Sequence, residues 1–183
     1  MRAARTAALR PLLDLARSRN ILLVGVVHPP KCNPHRVSGS HGQTDWEPRF
    51  NNLGARISIN DNTRILAQVM TGQTIWGQLT PMGYWTDVDF SAGYVLLTHE
   101  FDGQALTGRV DLFQVTDRSF MEYDNNSEDG WAITGAYRID VAPRLSVMVE
   151  GVHVSSQRPA RADAGVDVEQ GQSSLQTALR YSF

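Results

Sequence analysis

From Trp46 to the C-terminus, apolar and polar residues alternate, and the spacing of an amphipathic helix does not appear. Period-two alternation puts one set of side chains on each face of an extended strand. Seven segments carry it. "RFNNLGARISI" places Leu53, Ala55, Ile57 and Ile59 opposite Arg56 and Ser58. "TRILAQVMTGQTIW" places Ile65, Ala67 and Val69 opposite Gln68 and Thr74. "TDVDFSAGYVLLTHE" alternates Val88, Phe90, Ala92, Tyr94 and Leu96 with Asp87, Asp89, Ser91 and Gly93. "ALTGRVDLFQV" sets Leu106, Gly108, Val110 and Leu112 against Thr107, Arg109 and Asp111. "WAITGAYRID" and "RLSVMVEGVHVS" continue the pattern. "SSLQTALRYSF" ends it, with Leu175, Thr177, Leu179, Tyr181 and Phe183 on one face.

The connections between these segments alternate short and long. Tight turns are predicted near Asp61, Asp102 and Ala142, where Asn, Asp and Gly tolerate the backbone angles of a reversal or Pro closes the strand. Longer polar stretches separate them: "GQLTPMGY", "TDRSFMEYDNNSEDG" and "SQRPARADAGVDVEQGQ". An antiparallel meander yields this pattern when its two ends face different environments, as in outer-membrane barrels with short turns at one end and long loops at the other. Aromatic residues repeat the asymmetry. Trp46, Trp76, Trp85 and Trp131 fall at the long-loop end, and Phe101, Tyr181 and Phe183 at the other. Rings at both ends suit a pair of membrane–water boundaries; aromatics edging a soluble β core are the plainer alternative.

Residues 1–44 differ in character. "MRAARTAALRPLLDLARSRN" is Arg-rich and precedes the apolar "ILLVGVV", the order of a secretory leader. Leu9, Leu12, Leu13 and Leu15 would also fit one face of a short helix. "ILLVGVV" is equally long enough for an eighth strand, with "KCNPHRVSGSHGQ" as its loop. Eight would satisfy the even strand number of single-chain bacterial barrels.

Composition narrows the class. The 183 residues suffice for one domain, and a formal charge of −2 gives no basic excess for nucleic acid. Negative mean hydropathy excludes a helical membrane protein. It leaves a β-barrel open, because the interior face of a barrel is polar. Cys32 is the only cysteine, so no intramolecular disulfide forms.

The terminal strand, with Phe183 last, Tyr181 two residues before it and Leu179 and Leu175 at further alternate positions, resembles the C-terminal assembly signal of bacterial outer-membrane β-barrels. That resemblance implies recognition by the barrel-insertion machinery and a location in the bacterial outer membrane. "TDWEPRFNNLGARI", "GQALTGRVDLFQVTDR" and "EDGWAITGAYRIDVAPRLSVMVEGVHVSS" are similar to hairpins of the C-terminal part of proteobacterial porin-like proteins, over about Asp45 to Phe183. The expected fold class is therefore all-β. It is an antiparallel up-and-down meander of seven or eight strands, forming a transmembrane β-barrel or the C-terminal part of a larger porin barrel.

On this reading lipid meets the apolar face. Arg56, Asp87, Asp89, Arg109, Asp111, Arg138, Asp140, Glu150 and Arg180 line the lumen. Charges of both signs there would tune the passage of small polar solutes, with no cofactor. Trp46, Trp76, Trp85, Trp131, Tyr181 and Phe183 form the membrane girdle. The same alternation would also serve a small soluble up-and-down barrel that holds an apolar ligand. His153-Val154-Ser155 matches the His-x-Ser pair of outer-membrane lipid A deacylases, with Asp167 or Glu169 as the candidate acid. An incidental histidine at a strand end explains so short a pattern more simply. Cys32, His28, His35 and His41 fit no metal-ligand spacing.

Overall fold

The computed structural model describes residues 21–27, 45–77, 86–119 and 125–183. It contains eight strands: β1 (Ile21–Val27), β2 (Asp45–Ser58), β3 (Thr63–Gly77), β4 (Thr86–Phe101), β5 (Gln104–Asp117), β6 (Glu128–Ala142), β7 (Leu145–Gln157) and β8 (Glu169–Tyr181). They form one sheet in sequence order, and every neighbouring pair is antiparallel. The predicted meander is present. "ILLVGVV" is its eighth strand, with Gly25 opposite Leu53. Among the described residues β1 and β8 do not meet, so the sheet is a wall with two free edges. The predicted leader or short helix of the first twenty residues, and the segment 28–44, lie outside the described residues.

Three tight reversals lie at one end of the sheet. At the first, the Asn60 side chain accepts the Asn62 backbone N–H at 3.0 Å. At the second, Asp102 and Gly103 both have positive φ, 44° and 74°, the form whose twist matches that of the flanking strands. At the third, Pro143 precedes Arg144, which has φ 74°, and a register shift between Asp140 and Ala142 adds a bulge beside it. The terminal strand stops at Tyr181, short of the predicted Phe183. One further ladder-like bond follows it, from Ser182 N–H to the Arg144 carbonyl at 2.9 Å.

The long connections lie at the other end. The 158–168 connection holds a single helical turn, α1 (Ala160–Asp163), where only a polar loop was expected. Arg161 anchors it. Its Nη1 donates to the carbonyls of Ser156 (2.7 Å) and Val168 (2.9 Å), and its Nη2 to Ser156 Oγ (2.8 Å) and Glu128 Oε1 (3.1 Å). Arg158 reaches Asn126 Oδ1 at 2.8 Å and ties this loop to its neighbour. Asp117 holds that neighbour by accepting the N–H groups of Ser119 and Asn126, each at 2.8 Å.

Register decides which residues share a face, because directly paired residues point the same way. Exposure then separates the faces. Along β5 the pattern alternates strictly, with Leu106, Val110 and Leu112 exposed and Ala105, Thr107, Arg109 and Asp111 shielded. Only Ala105, Ala136 and Ser156 are buried among the described residues. Among these residues no large side chain is enclosed, so the described sheet has no core of its own.

Two glycines on the shielded face are fixed by crowding. A Cβ on Gly72 would lie 2.3 Å from the Arg49 carbonyl and 2.7 Å from Phe90 Cζ. One on Gly130 would lie 2.4 Å from the Ser155 carbonyl and 2.7 Å from Phe113 Cζ. In each case a phenylalanine from the adjacent strand covers the bare backbone. A Cβ on Gly135, by contrast, meets nothing within 4 Å. Gly130→Ala is therefore expected to lower stability by about 1–3 kcal/mol, the usual cost of overpacking. Gly135→Ala should be neutral or slightly stabilising. Urea midpoints of the refolded protein in micelles measure both, and equal shifts would contradict the packing described.

Candidate functional site

The outward face is built in rows that cross the sheet. Asn51, Thr71, Ser91, Gln114, Asp129, Gln157 and Glu169 are successive register partners from β2 to β8. Each strand from β2 to β8 therefore presents a polar residue at one level. One row nearer the tight turns the partners are Leu53, Val69, Gly93, Leu112, Trp131, Ser155 and Gly171. Between the polar row and the turns, no Asp, Glu, Lys or Arg of the described strands shares this face. Leu112 is 65% exposed, Leu175 77% and Leu179 71%, with Val95, Leu97, Leu106, Val110 and Ile133 exposed beside them. Along β6 the band runs from Trp131 to Val141. Those ten residue-to-residue steps give roughly 34 Å along the strand, and a tilt of about 40° reduces this to roughly 26 Å, the height of an outer-membrane apolar band.

The shielded face carries the charges. Arg109 Nε lies 2.9 Å from each carboxylate oxygen of Asp111, and its guanidinium stacks 4.0 Å from the centre of the Tyr94 ring. Arg64 pairs with Glu100 on the adjacent strand, and Gln176 donates to Glu150 across β7 and β8. Arg138 Nε is 3.8 Å from Asp140 Oδ1. Asp140, Ser146 and Arg180 are partners in one row. Arg56, Arg109, Asp111, Arg138, Asp140, Glu150 and Arg180 thus share this face of the sheet. Nearer the long loops the face turns apolar and aromatic, with Phe90, Phe113 and Val115.

Register corrects one strand. Val88 pairs with Asp117 and Tyr94 with Asp111, so Val88, Phe90, Ala92, Tyr94 and Leu96 belong to the shielded face. Asp87 and Asp89 therefore lie on the outward face rather than beside Arg109. They sit beyond the polar row, on the loop side, so neither enters the apolar band. Gln73 Nε2 donates to Asp87 Oδ1 at 2.8 Å, and Arg118 Nη1 to Asp89 Oδ2 at 2.7 Å. Their work is to tie β3, β4 and the end of β5 together. The cause of the inversion is that β4 is apolar on both faces from Tyr94 to Leu97.

The aromatic positions also separate. Trp131 lies in the first row inside the polar boundary, and Tyr181 and Phe183 are exposed at the turn end. Trp46 and Trp76 are register partners farther toward the loops, and Trp85 lies outside the described residues.

His153 and Ser155 share the outward face, but no hydrogen bond joins them. His153 Nδ1 lies 2.8 Å from Ser173 Oγ and its ring packs on Trp131, while Ser155 Oγ donates to Glu169 Oε1 at 3.4 Å. Arg64, Glu100, Tyr94 and Gln176 were not singled out by sequence reasoning. Their partners come from other strands, and only register brings them together.

A twisted antiparallel wall, apolar outside and charged inside, with short turns at one end and long loops at the other, is the architecture of an outer-membrane β-barrel. No protein-family model and no curated protein matches the chain. Among solved structures the chain is similar to OmpTdeltaL8, a loop L8 deletion mutant of OmpT, an outer membrane protein of Vibrio cholerae, with a TM-score of 0.55. The match has 14% sequence identity and covers 76% of this chain, which spans 39% of that protein's length. The likeness is one of fold.

The two faces respond differently to charge if the band meets lipid. Ile133→Arg, on the outward face, is expected to lower bilayer stability by about 2–4 kcal/mol, and Thr134→Arg, on the shielded face, by clearly less. Denaturant titration in vesicles measures both. Equal, small effects would mean that water contacts both faces.

Proposed function

We propose that the chain is a porin-like outer-membrane protein, or the C-terminal strands of one, that passes small polar solutes by diffusion. The observation that carries this reading is the uncharged apolar band on one face, bounded by a polar row in every strand from β2 to β8, set against a charged opposite face. Lipid covers the band, and the charged face looks into a water-filled lumen. There Arg109, Asp111, Arg138 and Glu150 set the local field felt by passing ions. The exposed Leu175, Leu179, Tyr181 and Phe183 offer the insertion machinery an accessible terminal strand.

Other readings have less support. A soluble barrel holding an apolar ligand needs the apolar set to point inward, whereas Leu106, Leu112 and Leu175 are on the more exposed side. A lipid hydrolase at His153 and Ser155 needs the histidine to reach that serine, and His153 bonds to Ser173 instead.

The full chain, refolded into lipid, should show heat-modifiable gel mobility and stepwise conductance in planar bilayers. Neutralising Asp111 (Asp111→Asn) should then move the reversal potential in a salt gradient toward anion preference, and Arg109→Gln toward cation preference. Failure to conduct under conditions where the band inserts removes the pore reading.

A further inference from the structure

At the turn end of the shielded face, a cavity of about 510 Å³ opens between the β6–β7 turn and the last residues of β8. Arg138, Arg144 and Arg180 line it, with Asp140, Ser146 and Ser182. Three guanidiniums face one carboxylate. That carboxylate offsets only one of them: it forms an ion pair with Arg138 at 3.8 Å, a distance too long for a hydrogen bond, and this Nε is buried without an acceptor. Among the described residues Arg144 and Arg180 form no ion pair. An excess of two positive charges, an orphaned N–H donor and two hydroxyls therefore surround one space.

The backbone adds a second, independent sign. Proline followed by a residue with positive φ is the pattern of a type II turn, whose third residue is usually Gly or Asn. Here that residue is Arg144, at φ 74°. A long cation stands where glycine would relax the chain, so the turn holds a guanidinium at the mouth of the cavity at a cost in backbone strain.

We propose that this cavity is a binding site for a phosphate-type oxyanion. Guanidinium forks match the tetrahedral oxygens of phosphate in pairs, and two excess charges match a dianion. The volume exceeds that of a bare phosphate and lies within the range of small-molecule sites, so a phosphate monoester fits it. The site is separate from the Arg109–Asp111 pair and does not depend on whether the protein conducts.

Isothermal titration of the full chain refolded in micelles tests it, with inorganic phosphate in one arm and dihexanoyl phosphatidic acid in the other. Saturable one-to-one binding is expected. Arg180→Gln should weaken it about tenfold or more, the loss equivalent to one charge-assisted bond. Arg144→Gly gives the sharper result, because it relieves the positive-φ strain. It should raise the melting temperature while weakening phosphate binding, two opposite movements that misfolding cannot produce. Binding of phosphate itself assigns the site to free anions; binding of the phosphatidic acid alone assigns it to lipid headgroups. Absence of saturable binding in both arms, or equal affinity in Arg144→Gly, Arg180→Gln and the unaltered protein, overturns the proposal. A protein that binds phosphate without conducting keeps this site and loses only the pore.

Discussion

An apolar sheet face with none of the described residues packed against it needs a medium other than water. Removing one Leu, Ile or Val side chain from water is worth about 1.5–3 kcal/mol. About a dozen such residues stand exposed on the outward face, from Leu53 through Leu112 to Leu179. Left in water, they would forgo stabilisation of the order of 20 kcal/mol, more than the whole stability of an ordinary domain. Three small buried residues cannot replace it. Everything else in the architecture is consistent with that face being covered by hydrocarbon. The backbone groups of β2 to β7 are paired within the ladder, and the charges are gathered on the other side. The outward face of β2 to β6 becomes polar at the same row, and on β7 and β8 polar residues reach two rows further in, to His153 and Ser173.

The charged face follows from the same requirement. A strand that excludes charge from alternate positions over a membrane's thickness has only the remaining positions for Arg, Asp and Glu. On β5, β6 and β7 these positions hold Arg109, Asp111, Arg138, Asp140 and Glu150. Where the band ends, the restriction ends with it. Asp87 and Asp89 show this directly. They occupy the outward face of β4 only beyond the polar row, and there they bond to Gln73 and Arg118.

How much of this was legible in the sequence depended on whether a strand had one apolar face or two. β5 and β6 alternate without ambiguity, and their faces were read correctly. β4 has Tyr94 and Leu96 on one side and Val95 and Leu97 on the other, so the period alone cannot choose. The pairing of Tyr94 with Asp111 chooses, and pairing is a property of two strands. The same limit hid Arg64–Glu100 and Gln176–Glu150, whose members lie 36 and 26 residues apart. The turn chemistry near Asp61 and Asp102 was plain from Asn, Asp and Gly. The left-handed Arg144 was not, because arginine is no signal for positive φ. Nor was the α1 turn, which rests on Arg161 gathering the carbonyls of Ser156 and Val168.

The ion pairs also bear on how wide a lumen this wall can face. In a small closed barrel of eight strands the interior is just filled by side chains, so charges from opposite walls meet and pair. Among the described residues, the pairs between strand positions of the shielded face are local. Arg109 turns to Asp111 two residues along its own strand, Arg138 to Asp140 likewise, and Arg64 to Glu100 on the next strand. Closure by eight strands would bring β1 against β8, yet among the described residues these edges stay apart. Unpaired edge groups in hydrocarbon cost several kcal/mol each, so any barrel that holds this wall must pair both edges. Among the described residues no side-chain pair between strand positions of the shielded face reaches farther than the adjacent strand, so none of them spans a barrel interior.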